Sequence, residues 1–204
     1  MPLAELIRTR CLPRVPWKNG AGTTREVAAY PASAGSSHFQ WKLSVADIVQ
    51  DGAFSNFSGA DRHFLVTTPG YLHMTINGEL RTAAYGRPET FPGEADVLAR
   101  LSTGPTSAIN LITQRAFCTG SITVERIDGP LIPHNNVVAL TLLEGAATIN
   151  DGQRLKPLDF VICRPGTLEI QFKKTLVATI SVFPCSAATY GAASTRIYAA
   201  HGLR

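Results

Sequence analysis

A stretch in the first half of the chain, HFLVTTPGYLHMTINGEL, returns in altered form about 75 residues later as VALTLLEGAATINDGQRL. Each copy runs from a β-branched segment through a glycine, Gly70 or Gly145, and a second short apolar run to a turn dipeptide, Asn77-Gly78 or Asp151-Gly152. Such dipeptides favour two-residue hairpins, because that turn needs positive φ at both central positions. Self-similarity at a fixed offset points to a duplicated unit. Further short strand-like runs are read at His38–Ile48, Arg62–Thr68, Leu72–Ile76, Val137–Leu143, Ala146–Ile149, Phe160–Cys163, Leu168–Phe172 and Val177–Phe183, with most of the 13 Pro and 17 Gly between them. Helical turns are expected only near Ala4–Arg8 and Pro92–Ala95. The pattern predicts an all-β chain of two jelly-roll barrels, residues 1–118 and 119–204, the second packed against the first; a single large sandwich with coincidental turns is the alternative.

The 45% hydrophobic and 17% charged residues suit a globular chain rather than a disordered or membrane-embedded one. The net charge of +4, from 19 Lys and Arg against 15 Asp and Glu, is scattered, which argues against a nucleic-acid groove but suits a small anion. Cys11, Cys118, Cys163 and Cys185 form no C-x-x-C pair and are read as reduced and structural. Glu5, Arg8, Arg10 and Arg14 interrupt any apolar leader, so no membrane association is expected and the expected location is cytoplasmic.

Two segments concentrate polar chemistry. In Pro16 to Glu26, amide, hydroxyl and charges of both signs surround Gly20 and Gly22. Arg25 can grip a carboxylate through two nitrogens and Lys18 as a point charge, and Asn19 both donates and accepts. A solvated loop with capping threonines, Thr23 and Thr24, is the simpler reading. In Phe54 to Arg62, two aromatics precede Asp61 and Arg62, which point to opposite faces if extended. An inward charge there needs a counter-charge such as Arg25 or Glu26, whereas a surface ion pair contributes little.

Trp17-Lys18-Asn19-Gly20-x-Gly22-Thr23-Thr24-Arg25-Glu26 resembles the hallmark of the HutD/Ves family. The segments Phe54-Ser55-x-Phe57-x-Gly59-x-Asp61-Arg62 and Gly104-Pro105 through Asn110-Leu111-Ile112 to Arg115 are similar to its later motifs, in the same order. The resemblance implies a bicupin, two cupin-like barrels in one chain, with an association to histidine utilisation or stress response and no established reaction. Two positions depart from the family pattern: Ala21 stands where a third glycine is common, and Ala108 where an acid often neighbours the later asparagine.

No metal or other cofactor is expected. His38, His63, His73, His134 and His201 offer no H-x-H pair, and the weighed alternative joins His63 and His73 with Glu79 or Glu94. Neither a nucleophile elbow nor a phosphate loop is present. The expectation is a metal-independent protein that binds a small anionic metabolite, formylglutamate-like or urocanate-like, as a sensor or regulator. Lys18 and Arg25 would hold the carboxylate, Asn19 and Asn110 would read polar groups, Trp17 would wall the pocket, and Asp61 with Arg62 would brace it. The second barrel is expected to be structural or to form a homodimer surface. The rival is a cofactor-independent lyase, isomerase or hydrolase using Glu26 or Asp61 as general base.

Overall fold

The computed structural model describes residues 4–31, 39–102, 104–149, 152–163 and 168–185. His38, Asp151 and His201 lie outside the described residues. Sixteen strands follow one another: β1 (Ala4–Arg8), β2 (Val15–Pro16), β3 (Gly22–Tyr30), β4 (Trp41–Ile48), β5 (Gly52–Ala53), β6 (Ala60–Val66), β7 (Tyr71–Ile76), β8 (Glu79–Ala84), β9 (Pro88–Pro92), β10 (Val97–Leu101), β11 (Thr106–Gln114), β12 (Cys118–Leu131), β13 (Val137–Ile149), β14 (Arg154–Leu155), β15 (Asp159–Cys163) and β16 (Ile170–Pro184). Among the described residues there is no α-helix, only a 3-10 turn at Thr9–Cys11, and no helix long and apolar enough to cross a membrane. The chain is all-β.

Two compact units emerge. One comprises Leu12–Gly120 with the short stretch after Val182; the other joins the N-terminal residues through Cys11 to Ser121–Val182. In the first unit a six-stranded sheet, β2-β3-β4-β11-β6-β9, accompanies a four-stranded sheet, β5-β10-β7-β8. Ile48, Phe64, Val66 and Phe91 from the larger sheet pack with Leu72, Met74, Ile76, Val97 and Ala99 from the smaller. These alternate positions put apolar side chains inward on both sheets, burying area worth about 25 cal/mol per Å². In the other unit the order is β1-β15-β13-β16-β12, over a core that includes Leu140, Leu142, Val161, Ile170 and Val177.

Several expectations need correction. Ala4–Arg8 is a strand rather than a helical turn: it pairs residue for residue with β15, and Arg8 forms an ion pair with Asp159. Sheet pairing overrides the weak local preference. It therefore belongs with residues 121–182 and not with the first barrel, where the sequence reading placed it. Pro92 closes β9, and Gly93-Glu94 make a turn, not a helix. Val137–Leu143 and Ala146–Ile149 are one strand, β13, whose register against β16 shifts on both sides of Glu144 next to Gly145 (φ +87°). A bulge of this kind bends a strand without ending it. Gly70 (φ +123°) instead lies in the loop between β6 and β7, so the two copies of the repeat use their matched glycines differently.

Candidate functional site

The period of two along neighbouring strands decides which side chains share a face. On β4, Lys42, Ser44, Ala46 and Ile48 face one way, as do Thr24 and Glu26 on β3, Asn110 and Ile112 on β11, and Arg62 and Phe64 on β6. Register sets them in rows: Glu26 opposite Ser44, Ser44 opposite Asn110, and Asn110 opposite Phe64, with Lys42 opposite Ile112 and Ile112 opposite Arg62 in the next row. These rows form the floor of a cavity of about 590 Å³. Its walls come from Val15 to Asn19 and from Ala53, Phe54, Ser55 and Phe57. The core described above fills the rest of the same face.

The walls are fixed by specific contacts. The Trp17 indole N–H donates to Thr24 Oγ1 at 2.8 Å, and its ring meets Phe54 edge-on at 6.1 Å. Asn19 folds its own loop, accepting from the Ala21 N–H and donating to the Ala53 carbonyl, both at 3.1 Å. Both ends of its amide are thereby engaged. Gly22 is needed where β3 begins, because a Cβ there would lie 2.3 Å from the Asp47 carbonyl oxygen.

Arg62 dominates the electrostatics. It is 6% exposed, and its guanidinium lies 5.1 Å from the ring centres of both Phe54 and Phe57 and 5.8 Å from that of Phe91. It has no ion-pair partner among the described residues, and its Nε has no hydrogen-bond partner. Burial pulls its pKa well below the usual arginine range, to about 10, so it stays charged at neutral pH. One residue along the neighbouring strand's same face, Asn110 is 9% exposed and its Oδ1 is also unpartnered. A buried charge lacking a counter-ion costs several kcal/mol. Contacts with three aromatic faces offset roughly 0.5–2 kcal/mol each.

The structure brings Trp17, Lys18, Asn19, Thr24, Glu26, Arg62 and Asn110 to the cavity. Thr23, Arg25 and Asp61 are not on its wall. They sit at the intervening positions of their strands and face the other side of the sheet. Arg25 there binds Asp47 at 2.8 Å, and Asp47 also accepts from Ser107 Oγ at 2.8 Å. Asp61 accepts from Arg115 at 2.8 Å, and the same arginine bridges to Glu94 at 2.5 Å. Arg25 thus has a counter-ion, whereas Arg62 has none among the described residues. Lys18 is exposed at the rim, while Lys42 contacts Glu26 at 2.8 Å. Lys42, Ser44, Phe54, Phe57 and Phe64 were not among the expected site residues. The alternating polar positions in WKLSVADI were the available signal for the first two.

Asp61 faces away from the cavity, and Glu26 is tied to Lys42. His63 lies on β6 and faces away from Arg62, with Nδ1 3.1 Å from Thr90 Oγ1, while His73 is in the other sheet, 3.2 Å from Thr82 Oγ1. No three His, Cys, Asp or Glu converge among the described residues. The cavity offers a single carboxylate and two buried or half-buried cations, a donor set that does not fit the divalent ion held by many cupin folds.

A family model described as HutD matches residues 10–179. Protein Ves from Citrobacter koseri is 34% identical over 122 residues, 59% of this chain and 63% of that protein. An uncharacterized 21.2 kDa protein in the hutC 3' region of Pseudomonas putida is 34% identical over 113 residues, 55% of this chain and 59% of that protein. The match thus spans about three fifths of the length of these curated relatives. The structure of HutD from Pseudomonas fluorescens SBW25 superimposes with a TM-score of 0.76 at 26% identity, over 90% of this chain and 100% of that one. A cupin 2 conserved barrel domain protein from Leptotrichia buccalis gives 0.61 at 12% identity, over 91% and 98%, which is a likeness of fold alone.

Proposed function

The chain belongs to the HutD family, and from that premise we propose that its first unit binds a small anionic metabolite without a metal, acting as a sensor or buffer rather than as an enzyme. In this reading Arg62 pairs with a carboxylate and Asn110 hydrogen-bonds a neighbouring polar group of the same ligand. Trp17 and Phe54 close over its body. The observation that carries the proposal is the buried Arg62, charged and without a counter-ion among the described residues, near the unpartnered Asn110 Oδ1 in a cavity of about 590 Å³. That volume lies in the ordinary range for small-molecule sites, roughly 300–1,000 Å³. A carboxylate would satisfy the guanidinium with charge-assisted bonds and repay its desolvation.

A Pseudomonas putida relative in the hutC 3' region supports a link to histidine breakdown, so the candidate ligands are a formylated glutamate or urocanate. We place the protein in the cytoplasm and read its two units as a pair of cupin-like barrels. The test is calorimetric titration of the protein with N-formylglutamate and with urocanate, followed by mass spectrometry of the mixture. Saturable binding with the ligand recovered intact supports the sensor; accumulation of product would support the rival lyase, isomerase or hydrolase, and no heat with either ligand removes the proposed ligand class.

A further inference from the structure

The four-stranded sheet ends in β8, ELRTAA, which pairs with β7 on one side and, among the described residues, with no strand on the other. Asn77 (φ +49°) and Gly78 (φ +86°) form the two-residue turn between them, so Ile76 and Glu79 close the hairpin as a hydrogen-bonded pair. Alternation from that pair turns the N–H and C=O of Leu80 and Thr82 outward, away from β7. Leu80 is also 74% exposed, the highest value among the large hydrophobic side chains described. Sheet edges are ordinarily guarded by charge, and an open edge with an exposed leucine is a template for another strand.

The charges beside Leu80 have opposite signs. Glu79 and Arg81 share the face opposite to Leu80, 3.6 Å apart, with side chains 76% and 42% exposed. We infer that two copies of this chain associate through β8, antiparallel about a two-fold axis at Leu80. In that register Leu80 and the partner's Leu80 exchange both backbone hydrogen bonds. Glu79 stands opposite the partner's Arg81, and Arg81 opposite the partner's Glu79, so the charge pattern complements itself.

Neighbouring registers lose this match. Centring on Arg81 opposes two like charges, and centring on Thr82 sets Arg81 against the partner's Ala83. On the outer face, Ala53, Leu98, Thr75 and Leu80 already form one row from β5 to β8. Leu98 in that row is 37% exposed. Pairing at Leu80 continues the row into the second copy and joins the two sheets into one of eight strands. The intramolecular Glu79–Arg81 contact is exposed and therefore weak, so exchanging it for two intermolecular ones meets little resistance.

Sedimentation equilibrium of the full chain up to millimolar concentration tests the inference. The native protein should reach twice the chain mass of 21.9 kDa. Arg81→Glu and Leu80→Lys should each raise the dimer dissociation constant at least about tenfold, the first by opposing two pairs of like charges. The double exchange Glu79→Arg with Arg81→Glu should restore the native value, because each pair is rebuilt with its signs reversed. Circular dichroism and carboxylate binding report that the variants are folded, since β8 contributes nothing to the cavity wall. A native protein monomeric throughout, a dimer indifferent to both single variants, or a double exchange that stays monomeric would overturn the inference.

Discussion

Replacing Arg62 with methionine separates a ligand-binding charge from a structural one. Its pKa, lowered by burial to about 10, corresponds to about 3 kcal/mol of penalty on the charged form. With the folded value below the unfolded one, the penalty is complete at every pH below about 10 and is relieved only as pH rises from there toward the ordinary arginine value. Contacts with Phe54, Phe57 and Phe91 offset a similar sum, on the order of 0.5–2 kcal/mol each. Methionine keeps the length and packs against the same rings without the charge. The ligand-free variant should therefore melt within a few degrees of the native protein, or above it. With N-formylglutamate or urocanate at about 100 times its dissociation constant, the native protein should gain about 2.7 kcal/mol. For a chain of this size that is roughly 5–10 °C in melting temperature. The variant should gain nothing measurable. If Arg62→Met lowered ligand-free stability by several kcal/mol, or kept the ligand-dependent shift, the assignment of Arg62 would be refuted.

Arg25→Ala should behave in the opposite way, losing about 2 kcal/mol in urea denaturation because Asp47 loses its close cationic partner and keeps only Ser107 and the exposed, more distant Arg14, while the ligand-dependent melting shift survives. Gly22→Ala forces a Cβ to within 2.3 Å of the Asp47 carbonyl oxygen, so it should cost about 3 kcal/mol or more and show as a sharp drop in soluble yield and melting temperature. Burial pushes the His63 pKa below its usual 6.5, partly countered by Asp61. The unfolded state then takes up the proton first, so stability should decline as pH falls below about 6.5, and His63→Gln should flatten that part of a stability-against-pH curve.

The all-β class was legible because β-branched runs and turn dipeptides agree, and the Asn77-Gly78 hairpin forms where they place it. Many strands were hidden, among them β3, β11 and β12. β3 begins inside a glycine- and threonine-rich motif whose polar alternation reads as a loop until its partners are known. β11 and β12 mix small and polar residues whose burial depends on distant strands. The site shows the same division. Its motifs mark the right neighbourhood, but a motif does not say which of two adjacent charges turns inward. Strand parity settles that: Thr24 and Glu26 share a face, and Arg25 takes the other. The opposite faces of Asp61 and Arg62 followed from extended geometry alone, whereas the aromatic cage around Arg62 required Phe91, which comes from a separate strand, β9.

The pairing of β1 with β15 bears on the order in which this molecule can assemble during translation. Arg8 leaves the ribosome first, yet its acceptor Asp159 follows 151 positions later. Until then β1, with Leu6 and Ile7, has no sheet to join, while every strand from β2 to β11 has already emerged and can find its neighbours. Completion of the second unit thus waits on the return of the amino end. Severing the chain between residues 120 and 121 would leave β1 on the wrong fragment, so neither piece would hold all the strands of its own unit and nothing more.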